Sequence, residues 1–217
     1  MINKIVMLFF TLYISNGICG VSVLGTRFLI NDNMRHLNIK LVNDNESDYL
    51  IKSTLDDKDF IISPPLFLLP KNSSNIITVV PKEKKRYSED KIINLTLTAI
   101  PKSASNNDAN AVSLAVRNHF KIIYRHTELK NSDFEQLSIS QENNKCMINN
   151  NSDFVFTISL SKKSEDPYIK LMNIAPHEKK PVEDEYLNPN CEGWANFHNE
   201  YNDIIKTIKI ANKQKGI

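Results

Sequence analysis

Ala111-Val112-Ser113-Leu114-Ala115-Val116-Arg117-Asn118-His119-Phe120-Lys121-Ile122-Ile123-Tyr124-Arg125 is the stretch from which the fold is read. Val112, Leu114 and Val116 recur every second residue, the period at which side chains share one face of a β-strand. The Val, Ile, Phe and Tyr content suits a pleated, half-buried surface. Residues 111–124 are therefore predicted to form a strand.

Working outward, the preceding sequence repeats the pattern. Val21–Leu24, Arg27–Ile30, Leu37–Val42, Tyr49–Leu55, Phe60–Ile62, Ile76–Val80 and Ile92–Ile100 are short apolar or alternating runs, separated by connections rich in Pro, Asn, Ser and Lys. About seven strands at this spacing predict a β-sandwich of immunoglobulin-like type. No long segment carries a persuasive helical period. The polar stretch His126–Asp133 reads as a linker. Beyond it, Leu137–Ile139, Met147–Ile148, Phe154–Leu160 and Ile204–Ile210 predict a second, smaller β domain, with irregular sequence between Ser161 and Asn202.

The N-terminus is set apart from this pattern. Lys4 precedes the apolar run Ile5–Ile14, and Ser15, Gly17 and Gly20 follow, the layout of a secretory signal peptide cleaved near residues 17 to 20. The expected organisation is a signal at 1–19, a first domain at 20–126, a linker at 127–133 and a second domain at 134–217. With Cys19 removed, Cys146 and Cys191 form one even pair in an oxidising compartment. A structural disulfide closing that loop contributes up to roughly 3 to 4 kcal/mol. Two free buried thiols are the alternative reading.

Composition narrows the function classes. A formal net charge of +2 is too small to argue for a nucleic-acid or membrane surface. None of the five histidines sits at the spacing of a helical zinc pair, and five glycines leave little material for a phosphate-cradling loop. No Gly-x-Ser-x-Gly elbow occurs. His119 and His126, flanking the end of the predicted strand, read as surface or edge positions. The chain is read as a binding protein without cofactor or metal rather than an enzyme.

Lys121-Ile122-Ile123-Tyr124-Arg125, following the alternating apolar segment, resembles the last strand of the N-terminal domain in PapD-like pilus chaperones. Val21-Ser22-Val23 with Thr26-Arg27 is similar to that family's first strand, Ser63–Pro70 to its proline-rich segment and Ala99-Ile100-Pro101 to the end of its sixth strand. Trp194–Tyr201 resembles a segment of its second domain. His126 departs from the pattern, because a proline usually follows the arginine, and the positions of Cys146 and Cys191 also differ, which implies a divergent branch. The short loop Lys102–Asn110 resembles the branch that assembles rigid, thicker pili.

The resemblance implies an all-β protein of two immunoglobulin-like sandwich domains set at an angle around an interdomain cleft. It implies an edge strand from about Asn110 to Tyr124, with Val112, Leu114 and Val116 as donor residues for fimbrial subunits that lack a final strand. Arg27 and Lys121 would hold the subunit's C-terminal carboxylate. Asp90, Arg125 and Glu200 would form an ion network fixing the domain angle. The implied setting is the periplasm, with an outer-membrane usher as second partner, no nucleic acid, no membrane insertion, and self-association through the donor strand when free. A secreted immunoglobulin-like adhesin or fimbrial structural subunit is the rival reading. Strict alternation puts Val116 and Lys121 on opposite faces, and strand twist or a bulge would be needed to bring them together.

Overall fold

The computed structural model of the chain describes residues 20–83, 87–102, 114–164, 170–183 and 185–211. The signal-peptide expectation for 1–19, Val112 and most of the loop 102–110 lie outside the described residues. The first sandwich is built from β1 (Val21–Val23), β2 (Arg27–Asn31), β3 (Leu37–Asn43), β4 (Tyr49–Leu55), β5 (Phe60–Ser63), β6 (Leu66–Leu69), β7 (Ser73–Pro81), β8 (Lys91–Pro101) and β9 (Val116–Arg125). One sheet has the order β1-β3-β7-β5 and the other β2-β9-β8-β4-β6. Alternation in the sequence becomes alternation in burial: Leu37, Ile39 and Leu41 of β3 are buried while Asn38 and Lys40 are exposed. Ile93, Leu95 and Leu97 of β8 meet them in the core with Ile51, Ile77 and Ile122. Each such fully buried side chain contributes about 1.5–3 kcal/mol.

Two strands of this sandwich change sheets part-way. β1 pairs with β3, but β2 pairs with β9 in the opposite sheet. Gly25 makes the crossing at φ +115°, and a Cβ there would come within 2.9 Å of Phe28 Cε1, so the position requires glycine. Around Pro64 and Pro65 the chain crosses again: β5 pairs with β7 and β6 with β4. The Ser63–Pro64 peptide is cis, and the Ser53 backbone N–H donates to the Pro65 carbonyl at 2.8 Å. The strand expectation ended at Ile62 and omitted β6, because the prolines interrupt the pattern that resumes on the other sheet.

The second sandwich begins inside the stretch expected to be linker. Helix α1 (Asn131–Phe134) starts where the Lys130 backbone N–H donates to Asp133 Oδ2 at 2.6 Å, and Phe134 and Leu129 pack onto the second core. The strands are β10 (Leu137–Glu142), β11 (Lys145–Asn150), β12 (Phe156–Ser161), β13 (Met172–Ile174), β14 (Lys179–Pro181), β15 (Gly193–His198) and β16 (Ile204–Ile210). They form sheets β10-β11-β14 and β13-β12-β15-β16. The segment expected to be irregular thus holds β13, β14 and β15. β13 and β14 are three residues each, too short for a period to register, and β15 buries polar Asn196 and His198 beside Ala195 and Phe197.

Both cores are pinned by polar groups at strand ends. Asn43, closing β3, donates to the carbonyls of Ser47, Leu69 and Pro70 at 2.9, 3.3 and 2.8 Å. Asn150 closes β11 in the same manner, donating to Phe154 at 2.7 Å and Ala175 at 2.9 Å. Cys146 and Cys191 are joined by a buried disulfide, with Cα atoms 5.5 Å apart.

Candidate functional site

Among the described residues, the expected edge strand is paired over Val116–Arg125 and covered on its outer side along part of that length. Pairing begins at Val116, opposite Ala99, and Leu114 precedes the strand in non-ladder conformation. From Lys121 to Arg125 the outer side of β9 is covered in parallel by β2, from Arg27 to Asn31. Among the described residues, Val116 to Phe120 has no strand on that side. That opening follows from the crossing at Gly25. Were the chain to continue alongside β9 in the same register, residues 22–26 would lie beside 116–120; instead β1 pairs with β3.

The faces of β9 can now be assigned. Phe120, Ile122 and Tyr124 point into the first core, where Phe120 packs against Phe28 with ring centroids 6.2 Å apart. Val116 shares their face, but the sandwich thins toward this end. Burial falls from Ile122 at 0% exposed to Val116 at 52%, and Leu114 reaches 73%. The β8–β9 ladder runs without a register shift from Val116 to Tyr124. The bulge considered as a way to bring Val116 and Lys121 onto one face is therefore absent from this ladder, and the two residues stay on opposite faces.

Arg27 and Lys121 are register partners at the point where the open side ends. Arg27 is 9% exposed, and burial lowers its pKa from the ordinary arginine value, while the charge of Glu200 acts in the opposite sense. Its Nη2 donates to the side-chain oxygen of Asn202 and lies 3.5 Å from the Asn199 carbonyl oxygen. Its buried Nε has no partner among the described residues. Lys121 is half-buried beside it.

Two of the three residues expected in the interdomain network are in contact. Asp90 Oδ2 lies 2.8 Å from Arg125 Nη1 and accepts from the Val155 backbone N–H at 2.8 Å. The Arg125 contact is an ion pair without hydrogen-bond alignment, since Nη1 meets no acceptor at good angle. Arg125 Nη2 donates to the Val155 carbonyl at 3.3 Å. Burial lowers the Arg125 pKa, opposed by Asp90 and then Glu200. Glu200 itself makes no direct ion pair with either arginine; it lines the cleft.

His126 corrects the surface assignment. Its side chain is 12% exposed, its backbone N–H and Nδ1 reach Asp90 Oδ1 at 2.9 and 2.7 Å, and its ring packs on Phe154 with centroids 4.7 Å apart. Asp90 is thus held by both sandwiches: by Arg125 and His126 of the first, and by Val155 of the second. The Asp90 backbone N–H also donates to the Asp153 carbonyl at 2.8 Å. His119, by contrast, is exposed as expected and pairs with Thr96.

Below Arg27 and Lys121 a cavity of about 900 Å³ opens between the sandwiches, lined by Leu29, Ile123 and Arg125 on one side and Phe156, His198 and Glu200 on the other. Asn199 and Asn202 complete the Arg27 surroundings. Asn199 belongs to the Trp194–Tyr201 resemblance but carried no role there, and Asn202, one residue past it, escaped the sequence reading; the available signal was its place in the turn Asn199-Glu200-Tyr201-Asn202-Asp203.

Two β-sandwiches joined across a cleft, with one strand half-uncovered beside a buried cation, define the class. Residues 20–130 match the family described as pili and flagellar-assembly chaperone, PapD N-terminal domain, and the chain belongs to that family. It is 28% identical over 144 residues to the probable fimbrial chaperone LpfB of Escherichia coli O157:H7, covering 59% of this chain and 60% of that protein. It is 28% identical over 158 residues to the chaperone protein MrkB of Klebsiella pneumoniae, covering 64% and 68%. Among solved structures, the Salmonella enterica SafA pilin in complex with the SafB chaperone aligns with TM-score 0.72 at 14% identity, covering 91% of this chain and 98% of that one. That likeness confirms the fold of two immunoglobulin-like sandwiches.

Proposed function

We propose that the protein is a periplasmic chaperone that binds fimbrial subunits lacking a final strand and passes them to an outer-membrane usher. The observation that carries this is the vacant slot beside Val116–Phe120, which ends at Arg27 and Lys121. An incomplete immunoglobulin-like subunit exposes a row of unpaired backbone groups and aggregates through it. A strand laid into the slot pairs its main chain with β9, and the protruding Leu114 and Val116 enter the subunit's own core. Because they leave the first core on the face that Phe120 and Ile122 occupy, the subunit's core continues the chaperone's sandwich.

The direction of β2 explains how register is set. A client strand parallel to β9 takes the place that residues 22–26 leave open, so its C-terminus arrives beside Arg27 and Lys121. Charge-assisted hydrogen bonds from both cations then fix the terminal carboxylate. Five residues separate Val116 from Lys121, about 17 Å of extended chain. Val116 and Lys121 need not share a face, since one fills a pocket and the other meets the chain end. Asp90, Arg125 and His126 hold the two sandwiches at the angle that keeps the slot open, and the charge of Glu200 acts on Arg125 from across the cleft. The two domains are 20–126 and 134–217, with Leu129 of the stretch between them packed on the second.

Exposed Leu114 and Val116 would also let the free protein self-associate through the same edge. Co-expression with a fimbrial subunit lacking its final strand tests the proposal. The subunit accumulates with the wild-type protein and is lost with Lys121→Ala; equal accumulation in both refutes the role of the cation pair.

A further inference from the structure

The turn joining β15 to β16 is organised around Asn199. Its side-chain oxygen accepts from the backbone N–H groups of Tyr201 and Asp203, both at 2.9 Å. Its backbone N–H donates to the Asp203 carbonyl at 3.0 Å, and its carbonyl accepts from the Asn202 N–H at 3.2 Å. Asn202 consequently sits at φ +72°, a region that asparagine enters more readily than most residues. His198, 6% exposed, supports the turn from beneath. Its Nδ1 is 3.0 Å from the Asn202 carbonyl oxygen and its Nε2 2.9 Å from Ser159 Oγ. A carbonyl only accepts, so Nδ1 carries a proton and donates to it, while Nε2 shares a hydrogen bond with the serine hydroxyl, which can either donate or accept.

What this braced turn presents to the first sandwich is the side-chain oxygen of Asn202, and it sits on Arg27 Nη2. Arginine offers Nε and Nη2 as a two-pronged edge that matches the two oxygens of a carboxylate. A single amide oxygen serves one prong, and here the buried Nε is left without a partner. We infer that Asn202 is an intramolecular placeholder in the carboxylate site, which a client's terminal carboxylate displaces to engage both prongs. The inference rests on the reading of Arg27 and Lys121 as the carboxylate anchor.

The placeholder lowers the apparent affinity of every ligand that must displace it by the fraction of molecules in which Arg27 is uncapped. For a hydrogen bond to a charged donor that fraction is on the order of one in ten. A cap of this strength would keep weak anions off the site while yielding to a ligand that also pairs along β9.

The test uses the full mature chain and two fluorescent peptides of alternating valine and threonine, one ending in a free carboxylate and one in an amide, with affinity read by anisotropy. Asn202→Gly deletes the side chain while suiting the positive φ, and should tighten binding of the acid peptide about tenfold. Asn202→Asp places a charged acceptor of the same shape on Arg27 and should weaken it tenfold or more. Unchanged or weaker binding by the glycine variant, or unchanged or tighter binding by the aspartate variant, overturns the inference. Arg27→Ala separates the two levels. If it and the amide peptide both retain full affinity, the anchor reading fails and the placeholder with it. If both lose affinity while Asn202→Gly brings no gain, the placeholder alone fails.

Discussion

Arg27 and Lys121 face each other across the parallel ladder of β2 and β9, and that ladder starts with them. On one side of the pair β9 is covered; on the other it is open. Two cations thus mark the end of an unpaired strand edge, and one of them is nearly buried with an unsatisfied Nε.

The first expectation concerns this pair. Lys121→Ala should reduce affinity for a subunit at least tenfold, because a hydrogen bond to a charged group contributes about 1.5–3 kcal/mol. Free-protein stability should change by under about 0.5 kcal/mol, as for other half-exposed surface substitutions. Chemical denaturation alongside the binding measurement checks both halves.

Leu114 and Val116 separate donor residues from core residues. Leu114→Glu and Val116→Asp should leave the unfolding midpoint of the free protein nearly unchanged, since both side chains are more than half exposed. Each should weaken subunit binding, as full burial of such a side chain contributes about 1.5–3 kcal/mol. A large drop in free-protein stability would show that these residues serve the chain's own core.

Asp90 is the cross-domain tie. Asp90→Ala leaves the buried Arg125 without its counter-charge and the Val155 N–H without an acceptor, a loss of about 3–5 kcal/mol. Thermal unfolding would register the loss, and solution scattering a wider spread of domain angles. Glu200→Gln should do far less, because Glu200 touches neither arginine directly.

How much of this was legible beforehand depends on the residue. β3, β4 and β16 were readable because alternate residues meet water, as Asn38 and Lys40 do between Leu37, Ile39 and Leu41. β6 was hidden by Pro64 and Pro65, which end one pairing only to start another. β15 was hidden because its polar residues Asn196 and His198 are buried. Arg27, Lys121, Asp90 and Arg125 were reached through resemblance; His126 and Asn202 were not. The position of His126 after Arg125 says nothing of a contact with Asp90, 36 residues earlier. The covering of Lys121–Arg125 by β2 was not legible, since strand composition cannot tell which side of β9 the chain's own N-terminal strand covers.

Cys146 and Cys191 allow an independent check on the second sandwich. Reduction, or the double serine variant, should lower stability by about 3–4 kcal/mol, as expected for a closed loop of roughly this length. Equilibrium unfolding with and without reductant measures it.

The vacant slot itself is tested most directly by amide hydrogen exchange of the full mature chain, alone and with an equimolar fimbrial subunit lacking its final strand. Exchange at Val116–Phe120 should slow at least tenfold on binding, while the covered segment Lys121–Arg125 changes little. Unchanged exchange at Val116–Phe120, with protection appearing on another edge such as Leu66–Leu69, would contradict β9 as the strand that the client pairs with.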